Sequence, residues 1–280
     1  MTLFVNALHH LDAALWCPDH GLIGTSWNVD AEFDGTPDAS GELCDVTTLR
    51  PWLGRHLKHG LDHTPLIPTQ APDVQVQECV EGLCVTTQHP YPMEIRAPRQ
   101  ALSLLPMARI TAETLADRLA SELMRQPPAR VEAIRLRLRE ERIAGAAFRY
   151  SRALHRHDGH RQRIAHGYRS RLHIWQQGQR CPKFEAQWAE RLDDRYLVDQ
   201  ATVVNDEARE GVLIRYRGSQ GRFVLQLPAD RCLALPGPPT TQRIATRMAE
   251  KIAQETEQTT VVQVFEGINR GVIAEASHAP

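Results

Sequence analysis

No run of apolar residues in the sequence approaches the roughly 18 that a membrane span requires, so no spanning helix is expected. A C-x-x-C pair is also missing: the six cysteines are scattered, and the best-spaced two, Cys79 and Cys84, stand five positions apart. Without a close-spaced framework the thiols are read as reduced and the protein as cytoplasmic. The stretch from Met1 to Trp16 has no basic region followed by an apolar run; it carries His9, His10 and Asp12 instead, so a signal peptide is not expected. Neither sign of charge prevails, with 33 Lys and Arg against 34 Asp and Glu. That balance gives no support for nucleic acid or an anionic membrane as a partner.

What is present is an ordinary globular composition, 42% hydrophobic and 24% charged over 280 residues. Such a chain can bury a useful core, in one large domain or two small ones. Histidine stands out. Its 13 copies cluster near residues 9–20, 56–63 and 155–173, where chemistry is best sought first.

The chain repeats itself. Ala7-Leu8-His9 recurs as Ala153-Leu154-His155, and His20-Gly21 as His166-Gly167. Leu61-Asp62-His63 is echoed by Leu192-Asp193-Asp194, and the segment from Ala97 to Pro106 by that from Leu227 to Pro236. Thr111 answers to Thr240, and Glu140 with Gly145 to Glu266 with Gly271. The spacing between counterparts falls from 146 residues (His9 to His155) to 126 (Glu140 to Glu266), so the second copy is the shorter. No Gly/Ser linker divides them. The boundary is placed near Ala147, giving units 1–147 and 148–280.

Each unit reads as β, α, β, β, α, β. Trp27, Val29, Ala31 and Phe33 alternate as in a half-buried strand, as do Ser170, Leu172 and Ile174. Leu115, Leu119 and Leu123 mark a helix, and Ile244, Met248 and Ile252 mark its twin; Thr111 and Thr240 stand at the N-cap positions. The expected fold class is α+β: two tandem units, each a four-stranded antiparallel sheet with two helices on one face. The Arg135, Arg137, Arg139 stripe reads as a solvated sheet face.

The order A-x-H, H-G, L-D-H, a threonine-capped helix and a strand ending in Glu resembles the 6-pyruvoyl-tetrahydropterin synthase family. It equally resembles the bacterial 6-carboxy-tetrahydropterin synthases of queuosine biosynthesis. The resemblance runs through nearly the whole chain, once per half. It implies the tunnelling fold (T-fold), trimer-based assembly, and hence a homotrimer of this two-unit chain. It also implies a zinc ion held by three histidines, a catalytic cysteine, an Asp-His pair from a neighbouring unit, and a glutamate that anchors a pterin. The implied substrate is 7,8-dihydroneopterin triphosphate.

Carried onto this sequence, the first half supplies His9 and His20 as metal ligands, Cys17, Asp62 and His63 as catalytic groups, and Glu140 as the anchor. The second supplies His155 and His166 for metal and Glu266 as anchor. The halves depart from the pattern at Leu22, Tyr168 and Asp194, and Arg161 and Gln162 fill the stretch where a second cysteine would stand. His157 or His160 could replace the donor lost at Tyr168. Zinc accepts imidazole, thiolate or carboxylate, so Cys17-x-x-His20 with His9 is also a donor set of suitable type. An Asp-His pair can relay protons near neutral pH, and a carboxylate can accept a forked pair of N–H donors. Two functions remain open from sequence: a lyase that moves protons on a pterin with zinc assistance, or a non-catalytic or repurposed pterin- or purine-binding T-fold protein.

Overall fold

From Leu11 to Trp16 five of six residues are buried, on both sides of the chain. Period-two alternation is therefore erased, yet this segment is the middle of a long strand. The computed structural model describes residues 1–58, 60–61, 64–154, 164–204 and 210–277. The first half comprises β1 (Thr2–Cys17), β2 (Gly21–Gly35), α1 (Val46–Lys58), β3 (Leu66–Pro68), β4 (Gln75–Cys79), β5 (Gly82–Thr87), β6 (Met93–Ala97), β7 (Ser103–Leu105), α2 (Ala112–Leu123) and β8 (Val131–Glu140). The second comprises β9 (Ala147–Arg152), β10 (His166–Gln176), β11 (Gln179–Arg180), α3 (Pro182–Leu192), β12 (Arg195–Asp199), β13 (Val203–Val204), β14 (Val212–Gly218), β15 (Gly221–Leu227), β16 (Cys232–Leu235), α4 (Thr241–Thr256), β17 (Thr260–Phe265) and β18 (Gly271–Ala276). No helix among the described residues is long and apolar enough to cross a membrane, and all six cysteines are free thiols.

The fold is α+β, but four antiparallel strands per unit is too few and too uniform. A five-stranded sheet runs β7-β3-β1-β2-β8, and a seven-stranded one runs β16-β12-β9-β10-β17-β18 with β11 on β10. Both are mixed: β3 is parallel to β1 and β7, and β12 is parallel to β9 and β16. The undercount has a physical cause. β1 hides its period by burial on both faces, and β3 and β7 are buried three-residue strands too short to show one. The third sheet, β13-β14-β15-β6-β5-β4, takes strands from both halves.

The helices form where periodicity and caps place them. Thr111 accepts from the Thr114 amide and Thr114 reciprocates, while Thr240 accepts from the Arg243 amide. Leu115, Leu119 and Leu123 of α2 join α1 in a core beneath the first sheet. Ile244, Met248 and Ile252 of α4 do the same with α3 beneath the second. A third core lies between the halves, where Trp16 meets Tyr91 edge-on with ring centroids 5.3 Å apart.

Two contacts join the halves reciprocally. In the shared sheet, Ile95 of β6 pairs with Leu225 of β15. Each stands two residues before the Ala97-Pro98 and Leu227-Pro228 steps that the repeat equates. Between the other two sheets, Gly24 of β2 lies on Gly167 of β10. A Cβ on Gly167 would come within 2.4 Å of the Gly24 Cα and 2.9 Å of the Ala13 carbonyl. A Cβ on Gly24 would come within 2.1 Å of the Tyr150 carbonyl. Backbone touches backbone there, and no flexible side chain can yield. Gly24→Ala is expected to cost about 2–3 kcal/mol or to prevent folding, as overpacking against rigid neighbours does. Urea denaturation would check this, and an unchanged midpoint would show that the sheets can part freely.

Candidate functional site

The first half ends its leading hairpin in a tight turn that carries two of the expected site residues. Cys17 closes β1 opposite Gly21, and the His20 amide donates to the Cys17 carbonyl at 3.2 Å. Gly21 has φ +82°, and the Tyr91 ring fills the space where a side chain would project. The Tyr91 hydroxyl accepts from the Leu22 amide at 2.7 Å. The turn is thereby fixed, and His20 is held against the second half. Its Nδ1 lies 3.9 Å from Asp194 Oδ2, an ion-pair contact longer than a hydrogen bond. Beside it Arg109 pairs with Asp19.

Asp194 follows α3 in a left-handed conformation, φ +52°. Its amide donates to the Arg149 carbonyl at 2.8 Å, and Asp193 accepts from the Arg149 amide at 2.7 Å. The Asp194 Oδ1 is buried without a hydrogen-bond partner. Burial and the neighbouring Asp193 push its carboxyl above the ordinary value, against the pull of Arg149, His20 and Arg231. Asp194 was legible in sequence only as a departure from an Asp-His pair. The structure makes it the second half's contribution to the turn of the first.

The two glutamates have different surroundings. Glu140 ends β8 opposite Trp27 and receives Arg149 Nη2 and Arg169 Nε, each at 3.3 Å. Its side chain remains 40% exposed. Glu266 is engaged on both oxygens. Arg152 Nη2 donates to Oε2 at 2.8 Å, and the Thr241 hydroxyl donates to the same oxygen. The Tyr168 hydroxyl donates to Oε1 at 3.0 Å, and Arg270 lies 2.8 Å from that oxygen. Burial alone would raise this carboxyl; the Arg152 charge, with Thr241 and Arg270, pulls it down to about 2. Arg152 is only 2% exposed, so Glu266 is its counter-ion. Sequence reasoning missed Arg152. Its one signal is parity: it shares a face of β9 with the buried Phe148 and Tyr150.

The expected zinc donors do not converge in the first half. The β1–β2 ladder runs unbroken from His9 opposite Val29 to Cys17 opposite Gly21. Eight residues of strand separate them, about 26 Å. His9 packs instead against Gly54 of α1, and its Nδ1 takes up the His10 amide at 2.7 Å. In the second half, His166 is buried, with its ring edge-on to Tyr168 at 4.5 Å. His155, Asp62 and His63 lie outside the described residues, as do His157 and His160. Among the described residues no group of three His, Cys, Asp or Glu side chains is placed to hold a metal ion. In the first half the donors therefore do not form the zinc site that the resemblance implies, and in the second only His166 of the expected set lies among the described residues.

In the two ladders Val29 pairs with Leu138 and Leu172 pairs with Val264.

No protein-family profile matches the chain, and no curated protein does. Among solved structures, the chain is similar to 6-pyruvoyl tetrahydropterin synthases. That of Plasmodium vivax shares 19% identity at a TM-score of 0.38, over 45% of this chain and 78% of its own. That of Plasmodium falciparum shares 15% identity at the same score and coverage.

Two pH dependences follow, of opposite sign. Glu266 is more acidic when folded, so its contribution is present above the ordinary glutamate value near 4.3 and is lost as pH falls toward about 2. Glu266→Gln strands the buried Arg152 and is expected to cost about 3–5 kcal/mol at pH 7. Asp194 is less acidic when folded, so its ionisation opposes folding as pH rises above the ordinary aspartate range. Asp194→Asn is expected to raise the melting temperature at pH 7 and to change it little at pH 3. Thermal melts across pH check both, and a stabilised Glu266→Gln would remove Arg152 as its partner.

Proposed function

We propose that the chain is a pterin-synthase-like lyase built from two copies of one T-fold unit, residues 1–147 and 148–280, with its acid–base chemistry at the seam between them. One observation carries the reading: the turn bearing Cys17 and His20 belongs to the first half, and the carboxylate facing His20, Asp194, belongs to the second. The duplication is supported by the common strand order β7-β3-β1-β2-β8 and β16-β12-β9-β10-β17 and by the reciprocal Gly24–Gly167 and Ile95–Leu225 contacts.

The substrate is 7,8-dihydroneopterin triphosphate or a related pterin. His20, which faces Asp194 at ion-pair distance, takes a side-chain proton beside Cys17, and proton redistribution accompanies loss of triphosphate or of the side chain. Glu140 remains open enough to accept ring N–H groups, with Arg149 and Arg169 fixing its carboxylate. No step is assigned to zinc, because His9 and Cys17 lie far apart in the first half and His155 of the second lies outside the described residues. The assembly is a homo-oligomer, a homotrimer by the family's pattern; β8 and β18 end their sheets and offer edges for it.

A second reading has its own support. The saturation of Glu266 by Arg152, Thr241, Tyr168 and Arg270 removes one expected anchor, as in a member repurposed for pterin or purine binding without turnover. Steady-state turnover of 7,8-dihydroneopterin triphosphate separates the two. The lyase reading expects product formation that falls by about 10²-fold or more in His20→Ala, the scale typical of general acid–base groups. Binding of the pterin with no turnover in the unaltered chain would establish the second reading instead.

A further inference from the structure

The outward face of the third sheet gathers arginines where the ladder gives them no acid to face. Arg217 of β14 pairs directly with Arg222 of β15, and Arg215 pairs with Val224, which in turn pairs with Arg96 of β6. Like charges directly opposite one another on an antiparallel pair are destabilising. Only Arg96 is compensated on this face, by Glu94 at 3.0 Å. Among the described residues, Arg215, Arg217 and Arg222 have no carboxylate within ion-pair distance. Elsewhere the same protein does the opposite. On the first sheet Arg135 is laddered between Glu32 and Asp34, and Arg139 pairs with Asp30. An ordinary solvated face here is neutralised, and this one is not.

The arginines are not merely adjacent. Together with Glu81, Glu94, Tyr216 and Phe223 they line a cavity of about 390 Å³. On the opposite, core-facing side of the same strands the rings of Tyr216 and Phe223 stack at 4.9 Å and brace this strand pair. Arg217 and Arg222 stand across one strand pair, and Arg215 is one same-face step along β14, about 7 Å away. Three uncompensated guanidinium groups over that span suit an anion with more than one phosphate, each group offering a planar fork of donors.

We propose that this cavity is a binding site for an oligophosphate, held chiefly by Arg215, Arg217 and Arg222. The site lies on the sheet shared by the halves and is separate from the Cys17–His20 turn. Its ligand is the phosphate chain itself, whether free or as the tail of a nucleotide.

Isothermal titration of the full chain with inorganic triphosphate, with a nucleoside triphosphate and with inorganic phosphate tests the site at fixed low ionic strength. Expected are one triphosphate per chain, weaker binding of inorganic phosphate, and weakening with added salt. Arg217→Gln/Arg222→Gln should bind triphosphate at least about tenfold more weakly, the scale of lost charge-assisted hydrogen bonds. Arg135→Gln, on the first sheet, should bind as the unaltered chain does. Equal affinity for the free and nucleotide forms means that only phosphates are read, and tighter nucleotide binding means that the base docks too; both support the site. Removing opposed charges should leave the double variant's melting temperature unchanged or higher, and Arg215→Gln provides an independent second variant. No binding by the unaltered chain, full binding by both variants, or an equal loss in Arg135→Gln would overturn the proposal.

Discussion

Strands of two sheets cross in this molecule at a point where neither has a side chain. The Gly24–Gly167 contact lets strands of different sheets approach at backbone distance. Everything at the seam is set by that approach. It brings the Ser26 hydroxyl to the Arg169 amide at 3.1 Å and seats Gly267 against Asp12. It also brings Arg149 and Arg169 to Glu140, and it lies beside the turn whose His20 faces Asp194. A single bulkier residue at the crossing would move all these partners together, because they share one rigid interface.

Charge placement divides the two carboxylates that the repeat treats as equals. Glu266 lies where β9 turns a guanidinium inward, and a buried Arg152 without a counter-ion is far costlier than a carboxylate withheld from a ligand. Glu140 stands at the seam, where its arginines come from the other half and water still reaches it. Glu266 is therefore a structural ion-pair partner, and Glu140 stays accessible.

The sequence was legible where one physical rule governed a segment. The periods of α2 and α4 and the threonine caps follow from burial on one face and from unsatisfied amides at a helix start. Strand alternation was legible in β2 and β10 for the same reason. It failed for β1, where burial on both faces removes the pattern, and for β3 and β7, which are too short to have one. The site was less legible than the fold. Histidine spacing suggested that His9, Cys17 and His20 were neighbours, but a strand carries residues apart at over 3 Å each, so proximity in sequence became distance in space. Asp194 and Arg152 meet partners more than a hundred residues away in the chain, and no local pattern announces a partner that arrives from another element.

The pairing of β6 with β15 at Ile95 and Leu225 has a consequence for how such a chain can be divided. Cut between the halves, the first half would expose β6 as an unpaired edge. Two such fragments could add edge to edge about a true two-fold axis and rebuild the shared sheet as a swapped dimer. The uncut chain thus holds covalently, at an effective concentration set by its short connection, an association that separate halves would have to reach by collision.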